Sequence, residues 1–185
     1  MPKNNKEVIT LGSGKLYYLP FDGTTIPEID TMCVEANRIG WIKGGASIEY
    51  TPTYYVAKDD LGMVTKSVIT EEEAIFKTGI MTFNGTTLKT LIDTGRVTED
   101  AENHRRTLKI GGIDNASGQN YVLVFHYSDD VDGDKWVRVI GRNQAGFTLS
   151  FQKDTETVVD AEFLCQPGLD NQGTLIEFIE ELDAA

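Results

Sequence analysis

The chain has 185 residues and a mass of 20.5 kDa, enough for one domain that buries about 70% of its unfolded surface. Hydrophobic residues make up 40% and charged residues 25% of the sequence, which excludes a disordered chain. The 17 basic and 29 acidic side chains give a net charge of −12, which argues against a protein that grips nucleic acid by neutralising its phosphates. No apolar run is long enough for a transmembrane helix, and the N-terminus lacks the apolar segment of a secretory signal, so neither a membrane-spanning nor a secreted protein is expected.

Turn signals separate short segments rich in β-branched and aromatic residues along the whole chain. Asp22-Gly23, Asn84-Gly85 and Asp132-Gly133 are examples, and Asn or Asp before glycine is a strong hairpin signal. The predicted strands are residues 15–21, 107–110, 121–127, 135–140, 147–151, 157–165 and 174–178. This spacing predicts a mainly β protein, a sandwich or a barrel, in a single domain that spans residues 1–185. The C-terminal segment 175–182 also fits a helix, but the preceding glycine favours a strand.

One short helix is predicted over residues 87–93. Its apolar positions, at helical spacing, are Leu88, Leu91 and Ile92. Either Thr86 or Thr87 can cap its start and Gly95 can end it. So short a helix is unstable alone in water, so its apolar stripe is expected to cover part of the sheet. A weaker helical signal begins at Pro27.

A long hairpin is predicted over residues 45–83. Alternate positions of its first arm are apolar, namely Ala46, Ile48, Tyr50, Pro52, Tyr54 and Val56, while the intervening positions are Ser47, Glu49, Thr51, Thr53 and Tyr55. A period of two is typical of a strand with one buried and one solvent-facing side. The arm from Ala46 to Lys58 would extend about 43 Å, against a radius of gyration of about 16 Å for a domain of this size. The hairpin is therefore expected to project from its domain.

A projecting hairpin would leave apolar side chains and strand edges exposed, which soluble proteins avoid unless a partner covers them. Pro52 has no N–H to donate, so it must lie at an edge, a bulge or a non-bonded position. Self-association, with identical hairpins pairing around a ring, would satisfy these constraints. A large lid over a ligand site would satisfy them too, so both interpretations stay open.

Residues with catalytic chemistry are few, and they do not form recognised patterns. His104 and His126 lack a nucleophile or an acidic partner at a known spacing. Cys33 and Cys165 fit no disulfide framework or metal spacing, which favours a reducing cytosol, and Cys165 is expected to be buried. The glycine-rich residues 12–15 lack the spacing of a phosphate-binding loop.

Two carboxylate clusters are candidates for metal or acid–base chemistry. Asp130, Asp132 and Asp134 alternate around a glycine, but no glutamate follows at the spacing that a calcium loop requires. The run Glu71-Glu72-Glu73 has no histidine near it in the sequence. The sequence therefore predicts no enzyme, no cofactor and no metal site.

The C-terminal fifth of the chain carries most of the net charge. Residues 150–185 contain nine acidic side chains and one basic one, which contributes −8 of the −12. This is either a solvated acidic edge or a surface that repels a polyanion or meets a basic partner.

The order of these segments resembles the major tail tube protein of tailed bacteriophages, most closely the long non-contractile type. The resemblance covers about residues 8–180. It is carried by Gly40-Trp41-Ile42-Lys43-Gly44-Gly45 leading into Ser47-Ile48-Glu49-Tyr50-Thr51-Pro52, then by the hairpin turn at residues 58–66, the Asn84-Gly85 turn, the short helix and the run of strands. Contractile-tail and type VI secretion tubes share the fold.

This resemblance implies a β-sandwich or half-barrel with one short helix and a long projecting hairpin, assembled in hexameric rings. Each subunit would complete an inter-subunit β-barrel around a lumen, and stacked rings would form a tube. The implied partners are further copies of the chain, a tape measure protein in the lumen, tail terminator and distal tail or baseplate proteins at the ends, and DNA that passes without specific binding. The implied location is the virion tail, assembled in the host cytoplasm.

Specific residues follow from this resemblance and the alternation. The side chains expected to face the lumen are Ser47, Glu49, Thr51, Thr53, Glu71 and Glu73. An acidic wall repels the phosphates of DNA weakly, so the duplex can slide past it. The apolar positions 46, 48, 50, 54 and 56 would pack on the sandwich or a neighbouring subunit. The hairpin tip would contact the next ring through Lys58, Asp59, Asp60, Leu61, Gly62 and Met63. Residues 1–13 would be an arm that orders on stacking.

A different class of protein remains as the alternative: a monomeric β-sandwich module that binds a carbohydrate or another ligand. Trp41 and Trp136 could supply its stacking platform, although core packing is the usual role of tryptophan.

Overall fold

The computed structural model describes residue 10 and residues 12–182, so most of the N-terminal arm expected at 1–13 lies outside the described residues. The prediction of a mainly β protein is confirmed. The strands are β1 Lys15–Pro20, β2 Arg38–Gly40, β3 Ile42–Lys58, β4 Thr65–Ile80, β5 Arg96–Asp100, β6 Arg105–Lys109, β7 Tyr121–Tyr127, β8 Lys135–Asn143, β9 Val159–Cys165 and β10 Ile176–Glu180. Two short α-helices, α1 Ile29–Met32 and α2 Gly85–Thr90, and 3₁₀ turns at Glu35–Asn37 and Ile113–Asn115 connect them.

Eight strands form one antiparallel sheet. Its order is β2-β1-β7-β8-β9-β4-β3, and β10 pairs with the first half of β8, while the end of β8 pairs with β9. Strands β5 and β6 form a separate two-stranded sheet. The C-terminal segment is a strand, as Gly173 indicated, although it begins two residues later than expected.

The two terminal strands of the large sheet, β2 and β3, are joined in the chain by Trp41 alone. The Trp41 carbonyl accepts hydrogen bonds from the N–H groups of Met81 (2.8 Å) and Thr82 (3.3 Å), which draws the end of β4 toward β2. At Gly40 a Cβ would lie 2.2 Å from the Thr82 carbonyl oxygen, so this approach requires glycine. The sheet curls back on itself, but no closed sheet is found among the described residues.

The main core lies on one face of this curled sheet. Phe76 and Phe163 face each other across β4 and β9 with ring centroids 6.3 Å apart, and both are buried. Leu88 and Leu91 place α2 over this core. A smaller cluster, formed by Met32 of α1 and by Val122, Val124 and Ile140, covers part of the opposite face.

Helix α2 begins earlier than the sequence predicted. Its cap is Asn84, whose Oδ1 accepts hydrogen bonds from the N–H groups of Thr86 (2.8 Å) and Thr87 (3.0 Å), so the expectation of a threonine cap was wrong. The helix ends at Thr90, and the buried Asn143 side chain then donates to the Leu91 carbonyl (3.0 Å). This bond fixes the end of the helix to β8.

Two other strand predictions differ from the structure. Residues 147–151 contain no strand, and Phe147 and Leu149 instead pack against the core from an irregular segment. The β5–β6 hairpin was largely missed, because only residues 107–110 were predicted there.

Candidate functional site

The β3–β4 hairpin is the most prominent feature that the core does not explain. Its cross-strand pairs run from Ile42↔Ile80 to Lys58↔Thr65. Every residue from 53 to 73 is exposed, whereas burial begins at Ala74. We call residues 53–73 the distal hairpin; it projects from the domain, as the length of the alternating segment indicated.

The six residues expected to face a lumen share one face of the full β3–β4 hairpin. Thr51 lies opposite Glu73 and Thr53 opposite Glu71, and directly opposed residues of an antiparallel pair point to the same side. Ser47 and Glu49 occupy the same side at alternate positions of β3, and all six side chains are exposed. We call this surface the acidic face.

The acidic face continues onto β9 with two side chains of the acidic C-terminal segment, whose orientation the sequence left open. Glu162 lies opposite Lys77, and Asp160 lies opposite Gly79. The Lys77 Nζ lies 3.0 Å from the Glu49 carboxylate and 3.9 Å from that of Glu162. The hydrogen bond to Glu49 raises the pKa of Lys77, although partial desolvation opposes the shift. Asp160 and Glu162 alternate with buried residues, and this alternation indicates that their side chains point away from the core. Nothing in the sequence predicts that β9 pairs with β4.

A shallow cavity of about 410 Å³ borders the acidic face where β3 bulges. Gly44 and Gly45 lack partners in the register between Lys43 and Ala46, and both have positive φ angles (82° and 76°). The Thr78 hydroxyl donates to the Gly45 carbonyl (3.0 Å), which fixes the bulge. This bulge separates the first two residues of β3, which follow Trp41, from the regular hairpin that begins at Ala46.

The opposite face of the hairpin changes character along its length. Ala46 and Ile48 pack against the domain's own core. Tyr50, Tyr54 and Val56, farther out, are exposed. The expectation that these positions pack on the sandwich therefore holds within this chain only for the first two. The Tyr50 hydroxyl donates to the Glu72 carboxylate, which is the main reason that the pKa of this phenol is raised.

The tip of the hairpin brings together the residues expected to contact a neighbouring ring. The Asp59 Oδ1 accepts from the Val64 N–H (2.7 Å), and the Gly62 N–H donates to the Asp59 carbonyl (3.0 Å). Gly62 adopts a φ of 68°, which closes the turn at little steric cost. Leu61 and Met63 are each 81% exposed, so the turn presents two large apolar side chains to solvent.

Side chains with catalytic or metal-binding potential are used in local structure. His126 stacks on Trp136 with ring centroids 5.1 Å apart, and its Nε2 lies 2.7 Å from the Asp134 carboxylate. The Asp129 carboxylate accepts from the N–H groups of Val131 (2.9 Å) and Asp132 (3.0 Å), which lowers its pKa. Within residues 12–182 and at residue 10, no group of three or more His, Cys, Asp or Glu side chains is arranged to hold a metal ion.

The two thiols are poor nucleophiles. Burial raises the pKa of Cys33 to about 11, and the nearby Asp30 adds to the effect. Burial likewise raises the pKa of Cys165 to about 11. Both groups are therefore almost wholly protonated at neutral pH, and thiols in this form are unreactive.

The two tryptophans considered as a ligand platform lie in different surroundings. Trp41 is 52% exposed, but the Arg38 guanidinium covers its ring at 4.0 Å from the centroid. Trp136 is half-buried against His126. Each ring therefore has one face covered by a neighbouring side chain.

No protein-family model and no curated protein matches the chain. In the part of the chain that the structure describes, no helix is long and apolar enough to cross a membrane.

Proposed function

We propose that this protein is a non-catalytic structural subunit that self-associates through its long hairpin into rings, and that stacked rings form a hollow tube. The single observation that carries the proposal is the distal hairpin. It exposes Tyr54, Val56 and Ile69 on one side and Tyr55 and Val68 on the other. Apolar strands projecting into water are a hazard for a monomer and a ready interface for an oligomer.

The free edge of β3 supports the same proposal. This strand ends the order of the large sheet, and no other described strand pairs with its outer side. A second hairpin could add to that edge, and repetition of such a head-to-tail contact closes a ring. The proposed assembly is a hexamer in which β3 and β4 of each subunit complete an inter-subunit barrel, with a β-sandwich or half-barrel outside it.

The acidic face gives the proposed lumen its chemistry. Glu49, Glu71, Glu73 and their neighbours Asp160 and Glu162 would make the wall negative, with Lys77 offsetting part of the charge. A wall of this sign repels phosphates weakly and binds none of them tightly. A duplex could therefore slide through without specific contacts.

These features agree with a tail tube of a tailed bacteriophage, the family that the segment order resembles. The tip from Lys58 to Met63 would then contact the next ring, a tape measure protein would fill the lumen before ejection, and terminator and distal tail proteins would bind the ends. The protein would be assembled in the host cytoplasm and would remain in the virion tail.

Sedimentation velocity over a hundredfold range of protein concentration tests the proposal. Concentration-dependent growth to a species of six subunits and beyond supports it. A monomer at every concentration, together with ligand-dependent tryptophan fluorescence, would instead establish the binding-module alternative, for which the half-exposed Trp41 is the observation in favour.

A further inference from the structure

The small β5–β6 sheet carries a basic surface in a protein whose net charge is −12. Arg96 lies directly opposite Lys109, and Arg105 lies opposite Asp100, so all four side chains point to one side of the hairpin. The other side, with Val97 and Leu108, faces α2 and the core. We call the surface formed by Arg96, Arg105 and Lys109 the basic face.

Within the β5–β6 register, Asp100 is the one carboxylate that lies opposite a cation of the basic face, namely Arg105. In the described part of the structure Arg96, Arg105 and Lys109 form no ion pair, and Arg96 donates only to the Gly111 carbonyl (3.3 Å). The Asp100 carboxylate is engaged by Asn103, from both its side chain (2.8 Å) and its N–H (3.0 Å). By contrast, Arg106 on the opposite side is paired with Glu99 at 2.7 Å.

The basic face is costly to a lone subunit. Like charges directly opposite each other destabilise an antiparallel pair, and a two-stranded sheet is only marginally stable by itself. Arg96 lies opposite Lys109 in the β5–β6 hairpin, which has no strand pairing with the main sheet, so this repulsion acts on a hairpin that the main sheet does not stabilise through backbone hydrogen bonds. An anionic surface placed against the two side chains would remove it.

Strand β10 offers a free edge that carries an exposed acidic side chain. It pairs with β8 on one side, and no other described strand pairs with its second edge. Glu180 is exposed; Lys135 lies opposite it on β8, but Glu180 forms no ion pair within the described residues. It lies in the segment 150–185 that contributes −8 to the net charge. Phe178, two residues earlier, is 58% exposed, as Ile110 beside Lys109 is 53% exposed.

We propose that the basic face of one subunit binds the free edge of β10 in a second copy of this chain, with Lys109 set against Glu180 and Ile110 against Phe178. The contact joins two different surfaces, so it can be repeated from subunit to subunit. The inference rests on the proposed self-association and adds an electrostatic contact away from the long hairpin. Charge pairs across an interface set its register and its dependence on salt.

Charge reversal and restoration test this contact in the full-length protein. Lys109→Glu and Glu180→Lys should each raise the concentration needed for association about tenfold in sedimentation velocity. The double variant, which exchanges the two charges, should return close to the wild-type value. Lys153→Glu, which changes the net charge equally at an exposed loop without ion pairs among the described residues, should associate like the wild type.

The outcomes separate this inference from the proposed function. If the wild type associates but Lys109→Glu behaves like Lys153→Glu, or if the double variant stays weak, this contact is overturned and self-association stands. If the wild type never associates, both fail. If Lys109→Glu loses retention on immobilised heparin or DNA while its association is unchanged, the basic face serves a polyanion and the inference is wrong.

Unfolding does not confuse the result for Lys109→Glu. Glu180→Lys places a lysine opposite Lys135, so its melting temperature is measured as well, and the double variant, which carries the same local cost, controls for it. The Lys109→Glu variant places a carboxylate opposite Arg96 and replaces a repulsive pair by an attractive one, so it should melt at or above the wild-type temperature. Melting at a lower temperature would contradict the repulsion on which the inference depends.

Discussion

The ammonium group of Lys77 lies 3.0 Å from the carboxylate of Glu49, and this contact fixes a cation in the middle of a surface that is otherwise acidic. The same Nζ approaches Glu162 at 3.9 Å, so one side chain on β4 connects β3 with β9. Lys77 therefore offsets part of the negative charge of the acidic face near the domain. It does not offset the charge of Glu71 and Glu73, which lie farther out along the hairpin.

Replacing Lys77 by methionine should make self-association depend more strongly on salt. The carboxylates of Glu49 and Glu162 would repel their counterparts in neighbouring subunits, and added salt screens such repulsion. Thermal stability should change little, because exposed ion pairs contribute little to folding. Sedimentation velocity at low and high NaCl measures the effect, with Lys89→Met as the matched loss of an exposed lysine. Identical salt dependence of the two variants would contradict the proposed role of the acidic face.

Deleting residues 59–63 should leave a folded subunit that fails to form long polymers. The segment is exposed throughout, so its loss removes Leu61 and Met63 from the surface without opening the core. Circular dichroism tests whether the deletion variant is folded, and sedimentation velocity tests whether it forms polymers. As a milder pair, Leu61→Ser with Met63→Ser should weaken association, whereas Val131→Ser in the β7–β8 turn, also exposed, should not. Normal polymers from the deletion variant would remove the tip from the proposed ring contact.

The Asn84 cap should stabilise the subunit measurably. Asn84→Ala removes an acceptor shared by the N–H groups of Thr86 and Thr87, and loss of such a cap costs about 1 kcal/mol. Urea denaturation of the monomer at low concentration gives the value. Asn84→Asp retains the acceptor and should unfold close to the wild type, and an equal loss in both variants would show that the cap is not the cause.

The packing of Phe163 against Phe76 predicts a larger effect. Phe163→Ala should lower the free energy of unfolding by about 3–5 kcal/mol, because it removes a fully buried ring and leaves a cavity between β4 and β9. Phe151→Ala removes the same atoms from a ring that is 80% exposed and should have almost no effect. Similar losses for both would contradict the placement of the core.

The Asp22 turn predicts a specific pH dependence. Hydrogen bonds from the backbone N–H of Thr25, then from that of Thr24, lower the pKa of this carboxyl from its ordinary value of 3.8 to about 2. A lowered pKa in the folded state stabilises the protein above the unfolded value, and the contribution is lost as the pH falls from about 4 to 2. Urea denaturation in this range should show a shallower decline for Asp22→Asn than for the wild type. Parallel curves would show that the turn does not hold this charge.

The parts of the fold that depend on local pattern could be predicted from the sequence. Strict alternation from Ala46 to Val56 predicted which side chains of β3 share a side, because side-chain direction in a strand follows residue parity alone. It did not predict that the apolar side is exposed from Tyr50 outward. The Asn84-Gly85 pair was interpreted as a turn, and this hid the role of Asn84 as a helix cap. Both uses of asparagine rest on the same local hydrogen bonding, and the choice between them depends on what the next turn of chain packs against.

Features that depend on long-range pairing could not be predicted. Lys77 reaches Glu162 only because β4 pairs with β9, which is far from it in the chain. Strand β5 carries a single apolar residue, Val97, so it lacks the alternation of apolar and polar residues that predicts a strand. Residues 147–151 had the composition of a strand, but they found no pairing partner among the described strands and packed as coil.

Negative-stain electron microscopy of the purified protein, across a concentration series, tests the central claim most directly. We expect hollow rings at intermediate concentration and tubes at high concentration, with a pore wide enough for a DNA duplex and with the tubes lost on deletion of residues 59–63. Tip-deleted protein that still forms such tubes, or wild-type protein that forms only solid particles, would contradict this claim.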